Sequence, residues 1–245
     1  MQCTFEKIYT HIEKLQVITL FPSLFLLLAV IFEYSGFDVW WVSHFYDSQN
    51  HIWLYKQHWL FEHILHSGGQ WFDKLIGLIW LILFAVVNMK KEFRKYRKIV
   101  LFFLCATAIG PILVGIGKDI SHIYTPWDLH IFNGAQPYIK IFDTVPGNAP
   151  IGHAFPAGHA SGGYCLLSLY FVLLQLRSPC RVYGIIVGLT VGFIFGLAQQ
   201  VRGAHFPSHD FVTIFICWYG SLVMYFLFYP KEWHLLKTGK IAEHI

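Results

Sequence analysis

The chain has 245 residues, 56% of them hydrophobic and only 13% charged, with a mean hydropathy of +0.50. Soluble domains average about 45–50% apolar, so these values exclude an ordinary water-soluble domain and point to an integral membrane protein. The net charge of +4 is gathered in short basic clusters between apolar runs, a pattern that nucleic-acid binding does not explain.

The leading segment M-Q-C-T-F-E-K-I-Y-T-H-I-E-K-L-Q mixes Glu with Lys, and no small-x-small cleavage site follows it. The first apolar run is therefore expected to stay as a transmembrane helix. Runs near the ~20 residues that cross a bilayer recur at about 16–33, 72–89, 99–117, 161–177, 181–200 and 211–229. They predict an all-α fold: a six-transmembrane-helix bundle forming a single membrane domain over 1–245, with an interfacial helical segment between the first two spans. The five cysteines, Cys3, Cys105, Cys165, Cys180 and Cys217, form no C-x-x-C pair, and read as small core hydrophobes.

The basic stretch K-K-E-F-R-K-Y-R-K (90–98), Arg177 and Arg181, and Lys231, Lys237 and Lys240 follow the positive-inside rule. With six spans, the 90–98 loop, the 178–181 turn and both termini are expected in the cytoplasm, where His11, His234 and His244 would be solvated. Segments 34–71, 118–160 and 201–210 then share the opposite face. The first of these is rich in Trp and Tyr, which favour the headgroup layer, and suits an amphipathic helix in the interface. It also holds His44, His51, His58, His63 and His66. Without cysteines and with few carboxylates these do not form a metal-ligand pattern, so interfacial packing is the expectation, with sideways entry of a lipid as a further role.

The other two outer segments hold three polar blocks: G-K-D-I-S-H-I-Y-T-P-W-D-L from Gly117, F-P-A-G-H-A-S-G-G-Y from Phe155, and Q-Q-V-R-G-A-H-F-P-S-H-D from Gln199. Gly and His at a helix start make an anion site, because free backbone N–H groups and the helix dipole both favour phosphate there. Singly, each block has a plainer reading: Lys118 can snorkel, and Pro156 and Gly158 can shape a helix start. Asp128 fits either the site or a loop anchor. His122, His130 and His153 read as loop residues.

Taken in order, the blocks resemble the type 2 phosphatidic acid phosphatase superfamily, which includes the vanadium haloperoxidases, and are similar to its bacterial membrane-associated lipid phosphatases. The family pattern is Lys, six residues, Arg-Pro; then Pro-Ser-Gly-His; then Ser-Arg, five residues, His, three residues, Asp. The resemblance covers the six-span layout and nearly all of 118–210. It implies a phosphatase acting on a lipid phosphomonoester or pyrophosphate through a phosphohistidine, with no metal and no cofactor. It assigns His205 as nucleophile, His159 as proton donor to the leaving oxygen, and Lys118 as phosphate ligand, with Gly158 and Ala157 offering backbone N–H groups. A neutral imidazole is a usable nucleophile near pH 7, and fixed cations stabilise a transferring phosphoryl group.

Four positions depart from the pattern. Thr125 stands for the first-motif Arg, Ala157 for the second-motif Ser, and Gln199 for the third-motif Arg, with Arg202 three residues on. Positions i and i+3 share a helix face, so Arg202 is a candidate phosphate ligand. The orienting Asp position is His209, with Asp210 next to it, and the sequence leaves both open as partners of His205. The expected partners are a lipid phosphate and the bilayer, and the expected place is a bacterial inner membrane with the site on the periplasmic face. A His-rich transporter and a catalytically inactive phospholipid-binding relative are the alternatives.

Overall fold

The computed structural model describes residues 20–231. Cys3, His11, His234, His244, Lys237, Lys240 and the beginning of the first apolar run lie outside them. The described chain is mostly helical: α1 (Phe21–Tyr34), α2 (Phe37–Ser43), α3 (Gly68–Met89), α4 (Arg97–Ile120), α5 (Gly158–Tyr164), α6 (Ser168–Gln175), α7 (Arg181–Val201) and α8 (Pro207–Phe228).

The helices fall on the six apolar runs, which bears out the all-α expectation, but not all are uninterrupted spans. Lys91–Ile120, Arg181–Val201 and Pro207–Phe228 are long and apolar enough to cross a membrane, and α1 with α2 adds a fourth if that pair, bent by 72°, is one span. Three to four such helices fit a membrane protein; the expected count of six is not reached by length and composition.

Two breaks have physical causes. Between α1 and α2, Gly36 takes φ of +81°, a left-handed conformation that suits glycine. Between α5 and α6 the chain tightens into a 3-10 turn over Cys165–Leu167. There Ser161 Oγ donates to the Gly158 carbonyl at 2.6 Å and Ser168 Oγ to the Cys165 carbonyl at 2.7 Å. Such side chains compete with the regular helical ladder and bend it.

The interfacial segment also differs from the single amphipathic helix expected over 34–71. It is α2, a two-stranded antiparallel hairpin, β1 (Tyr46–Asp47) and β2 (Ile52–Trp53), and a π-helical stretch, Leu60–Ser67. Asp47 Oδ1 accepts from the Gln49 and Asn50 amides and closes the hairpin turn. Trp53 and Tyr46 then pack on Phe132 of the segment between α4 and α5.

At the centre, α8 packs against α1 and α4 around Trp218, Phe171, Tyr170, Phe102 and Tyr225. The 158–175 segment crosses α7 along three glycines, Gly184, Gly188 and Gly192, while Gly196, one turn on, faces Asp210 of α8. A Cβ on Gly192 would lie 2.1 Å from the Tyr164 ring, and one on Gly163 would lie 2.4 Å from the Gly192 backbone nitrogen. Small residues four apart let two backbones touch, the means by which helices associate in lipid.

Candidate active site

Lys118, His159, His205 and His209, drawn from all three sequence blocks, gather at one end of this bundle. α7 ends at Val201, and the turn 202–206 carries Arg202 and His205 into α8, which begins on Pro207. Proline fits the first helical turn because its missing N–H is one the helix leaves unpaired. Two contacts from elsewhere hold the turn: the Trp127 amide donates to the Gly203 carbonyl at 3.0 Å, and Asp38 Oδ1 of α2 accepts the Ser208 amide at 3.1 Å. The second is a helix cap supplied from outside the helix.

His205 is 6% exposed. Its Nδ1 lies 3.4 Å from Nδ1 of His209, and both imidazoles hydrogen-bond the backbone of Ala154. His209 is packed edge-on against Phe155 and Phe206. Burial holds the His205 pKa well below the ordinary 6.5, with His209 and Lys118 adding to the effect, so the ring is neutral at pH 7.

Asp210 points elsewhere. Its Oδ2 accepts from Gln200 Nε2 at 2.5 Å, Gln200 Oε1 accepts from Trp41 Nε1 at 2.9 Å, and Asp210 Oδ1 has no partner. Successive helical residues are rotated by about 100°, so once α8 starts at Pro207, His209 faces His205 while Asp210 faces α7.

Lys118 closes the site from α4. A Cβ on Gly158 would stand 3.2 Å from Lys118 Nζ, which puts the ammonium against the first turn of α5. Ala157 is the N-cap of that helix, fully buried, with no side-chain cap bond; its carbonyl accepts from Thr213 Oγ1 at 3.2 Å. The early N–H groups of such a helix lack intrahelical partners.

His159 follows on α5. Its Nε2 lies 2.8 Å from the His66 carbonyl, and the two rings stack at 4.2 Å and 22°. Burial lowers the His159 pKa, with Arg202 and Lys118 acting the same way and the His66 carbonyl and Glu62 opposing. His66 is lowered to about 4, by burial first and then by His159 and Arg202.

Arg202 is 7% exposed and its guanidinium is engaged. It forms an ion pair with Glu62, donates from Nη1 to Gln199 Oε1 at 2.9 Å, and donates from Nε to the Lys56 carbonyl at 3.2 Å. The face shared by Gln199 and Arg202 is thus real, but the guanidinium bonds protein partners from the interfacial segment.

Sequence reasoning passed over His66, Glu62 and Gln200 as site residues. Glu62 and His66 are four residues apart, a spacing that puts them on one helical face, and this was the available signal. Thr125, at the family Arg position, donates from Oγ1 to Asp128 Oδ2 at 2.5 Å, so Asp128 anchors its loop. His122 bonds the Pro150 carbonyl, and the exposed side chains of His153 and Asp119 lie 3.5 Å apart. Among the described residues no group of three or more His, Cys, Asp or Glu is placed to hold a metal.

A model of the PAP2 superfamily matches residues 99–233, more than half of the chain, and that match includes all three polar blocks. The chain belongs to the PAP2 superfamily. No curated protein and no solved structure matches it. PAP2 membership implies phosphatase chemistry on phosphate esters, and the cluster of Lys118, His159 and His205 lies within the matched residues. Beside it, a largely apolar groove of 650 Å³ runs between α3, α4 and α5, lined by Trp80, Leu104 and Pro111 and ending at Gly158 and His159.

Proposed function

We propose that this PAP2 protein is an integral membrane phosphatase that removes phosphate from a lipid phosphomonoester or pyrophosphate through a phosphohistidine on His205. The observation that carries the reading is the buried, neutral His205, held through Nδ1 by His209 and bonded to the Ala154 backbone; attack through Nε2 is part of the proposal. The 650 Å³ apolar groove ending at His159 favours a lipid over a soluble ester, since it offers an apolar chain a lining beside the site. The six-span topology, with both termini cytoplasmic and the site on the outer face of a bacterial inner membrane, belongs to the same proposal.

In the first step the Nε2 lone pair of His205 forms the P–N bond as the P–O ester bond breaks. The leaving oxygen takes its proton from His159. In the second step water attacks phosphorus, the P–N bond breaks back onto Nε2, and His159 recovers a proton from that water. Lys118 and the Ala157, Gly158 and His159 backbone N–H groups face the phosphoryl oxygens, where fixed donors favour the charge that develops. A bound dianion offsets the two cations that lower the His159 pKa, and so favours the protonated ring that the step needs. Arg202 acts on the site as a nearby positive charge while it braces Gln199 and Glu62. Asp210 holds α8 to α7 through Gln200.

The test is phosphate release in detergent from short-chain phosphatidate, phosphatidylglycerophosphate, a polyprenyl diphosphate and lipid A, with EDTA present. Wild type is expected to turn over at least one of these, and His205→Ala to lose at least about 10³-fold while keeping its thermal unfolding temperature. Acid-labile ³²P should appear on His205 during turnover of labelled substrate. A His205→Ala protein releasing phosphate at the wild-type rate refutes the assignment, and a wild type inactive on the whole panel leaves the phospholipid-binding alternative standing.

A further inference from the structure

We infer that His66 is a positioning residue for His159, fixing the tautomer and orientation of the proton-donating ring so that its Nδ1 faces the phosphate. The inference rests on the reading of His159 as leaving-group acid, and adds to it a residue from the interfacial segment, outside the family's three motifs.

The hydrogen bonds at this corner run in one direction, which assigns every proton. Arg202 Nη1 can only donate, so the Gln199 atom 2.9 Å away is its carbonyl oxygen and the amide group of Gln199 points the other way. That NH₂ can only donate, so His66 Nδ1, 3.2 Å from it, is the acceptor and the His66 proton sits on Nε2. The His66 carbonyl can only accept, so His159 Nε2, at 2.8 Å, carries a hydrogen. What remains on His159 is Nδ1, the atom through which it exchanges a proton with substrate.

The stack of the two rings, 4.2 Å and 22°, fixes the plane in which that Nδ1 lies. The bracket is itself braced. Gln199 is 2% exposed, and Arg202 is tied to Glu62 and to the Lys56 carbonyl. Glu62 and His66 belong to the same π-helical stretch, so Arg202 grips one end of the stretch and Gln199 the other. Gln199, which stands where the family motif has arginine, thus serves His159 through His66.

A misplaced acid slows the step in which its proton passes to the ester oxygen as the P–O bond breaks, and leaves substrate binding largely alone. The consequence depends on the leaving group. An alkyl alkoxide needs the proton; p-nitrophenolate, a weak base, needs it far less. With full-length protein in detergent, kcat is measured for short-chain phosphatidate and for p-nitrophenyl phosphate. His66→Ala is expected to lower the ratio of the two kcat values by about tenfold or more, part of the ~10²–10⁴ that a positioned acid supplies, with KM for phosphatidate changed less than threefold.

His159→Ala should show the same signature more strongly, and adding His66→Ala to it should change the ratio no further, as expected for residues acting as a unit. His66→Ala and His66→Phe both keep the backbone carbonyl, but only phenylalanine keeps a ring to stack on His159, so His66→Phe should recover part of the ratio lost in His66→Ala. Gln199→Leu, which removes the bracing amide, should lower it, and serves if His66→Ala does not fold. Equal losses on both substrates, or a further drop in the His159→Ala background, overturn the role of His66. An unchanged ratio in His159→Ala instead overturns the acid assignment beneath it, and an active His205→Ala overturns the phosphatase mechanism itself.

Discussion

Which neighbour orients His205, the proposed nucleophile, can be decided by comparing His209→Phe with Asp210→Asn. Phenylalanine at 209 keeps the edge-on contacts to Phe155 and Phe206, whose centroids lie 5.2 and 5.5 Å away, and removes the Nδ1 facing His205 together with the ring's bond to the Ala154 backbone. That nitrogen makes a neutral link of 3.4 Å, at the long end for a hydrogen bond. Such a bond contributes about 0.5–1.5 kcal/mol. At ~1.4 kcal/mol per decade, its loss should lower kcat/KM roughly two- to twelvefold. Where a buried carboxylate orients a histidine in a catalytic triad the corresponding loss is about 10⁴, so the small figure is itself diagnostic.

Asp210→Asn replaces a carboxyl group that the structure bonds to Gln200, not to His205. An asparagine carbonyl still accepts from Gln200, so kcat/KM should fall less than threefold, with any cost appearing in thermal stability. The assay is phosphate release under kcat/KM conditions, with the unfolding temperature of each variant measured in the same detergent. An Asp210→Asn enzyme that unfolds normally and is more than about 100-fold slower, beside a nearly unaffected His209→Phe, would falsify the orientation described here. Asp210 would then be the partner.

Two further outcomes follow from the packing and the charges. Gly192→Ala drives a Cβ to 2.1 Å from the Tyr164 ring, with Tyr164 only 2% exposed, and should cost about 2–4 kcal/mol, on the scale of severe overpacking; Gly77→Ala, with nothing within 4 Å of the new Cβ, should be neutral or slightly stabilising. Unfolding in detergent separates them, and equal stability of the two variants would contradict the close crossing. His66, with its pKa lowered from 6.5 to about 4, takes up a proton on unfolding between those values, so its contribution to stability is full above pH 6.5 and shrinks as pH falls. The unfolding temperature of wild type minus that of His66→Phe should therefore be constant above pH 6.5 and decline toward pH 4; a rising difference would reverse the sign.

Much of this site is written in local sequence, and what is missing is non-local. The order of Lys118, His159 and His205 is readable because each sits in a short polar block between apolar runs. The shared face of Gln199 and Arg202 follows from helical spacing alone. The choice between His209 and Asp210 turns on where α8 begins, a one-residue matter that periodicity does not resolve: starting at Pro207 sends the two side chains to different neighbours. The partners of Arg202 were out of reach for another reason. Glu62 and Lys56 lie about 140 residues away, and nothing local to Arg202 announces them. The apolar run at 161–177 looked like a plain span because hydropathy counts Ser161, Cys165 and Ser168 by polarity, not by the carbonyls they bond.

The glycine face of α7 carries a consequence for how the enzyme keeps its accuracy. His159 opens the segment that lies on this face, and His205 follows directly on the end of α7, so the two histidines ride on two rods whose separation is set by bare backbone at Gly163 and Gly192. Side chains at a crossing can yield by changing rotamer; backbone against backbone cannot. The gauge that spaces the proposed nucleophile from the proposed acid is therefore cut into this crossing, about one turn beyond His159 on one rod and two to three turns before the end of α7 on the other. Drift in sequence at that crossing would throw the chemistry out of register while leaving every reactive residue in place.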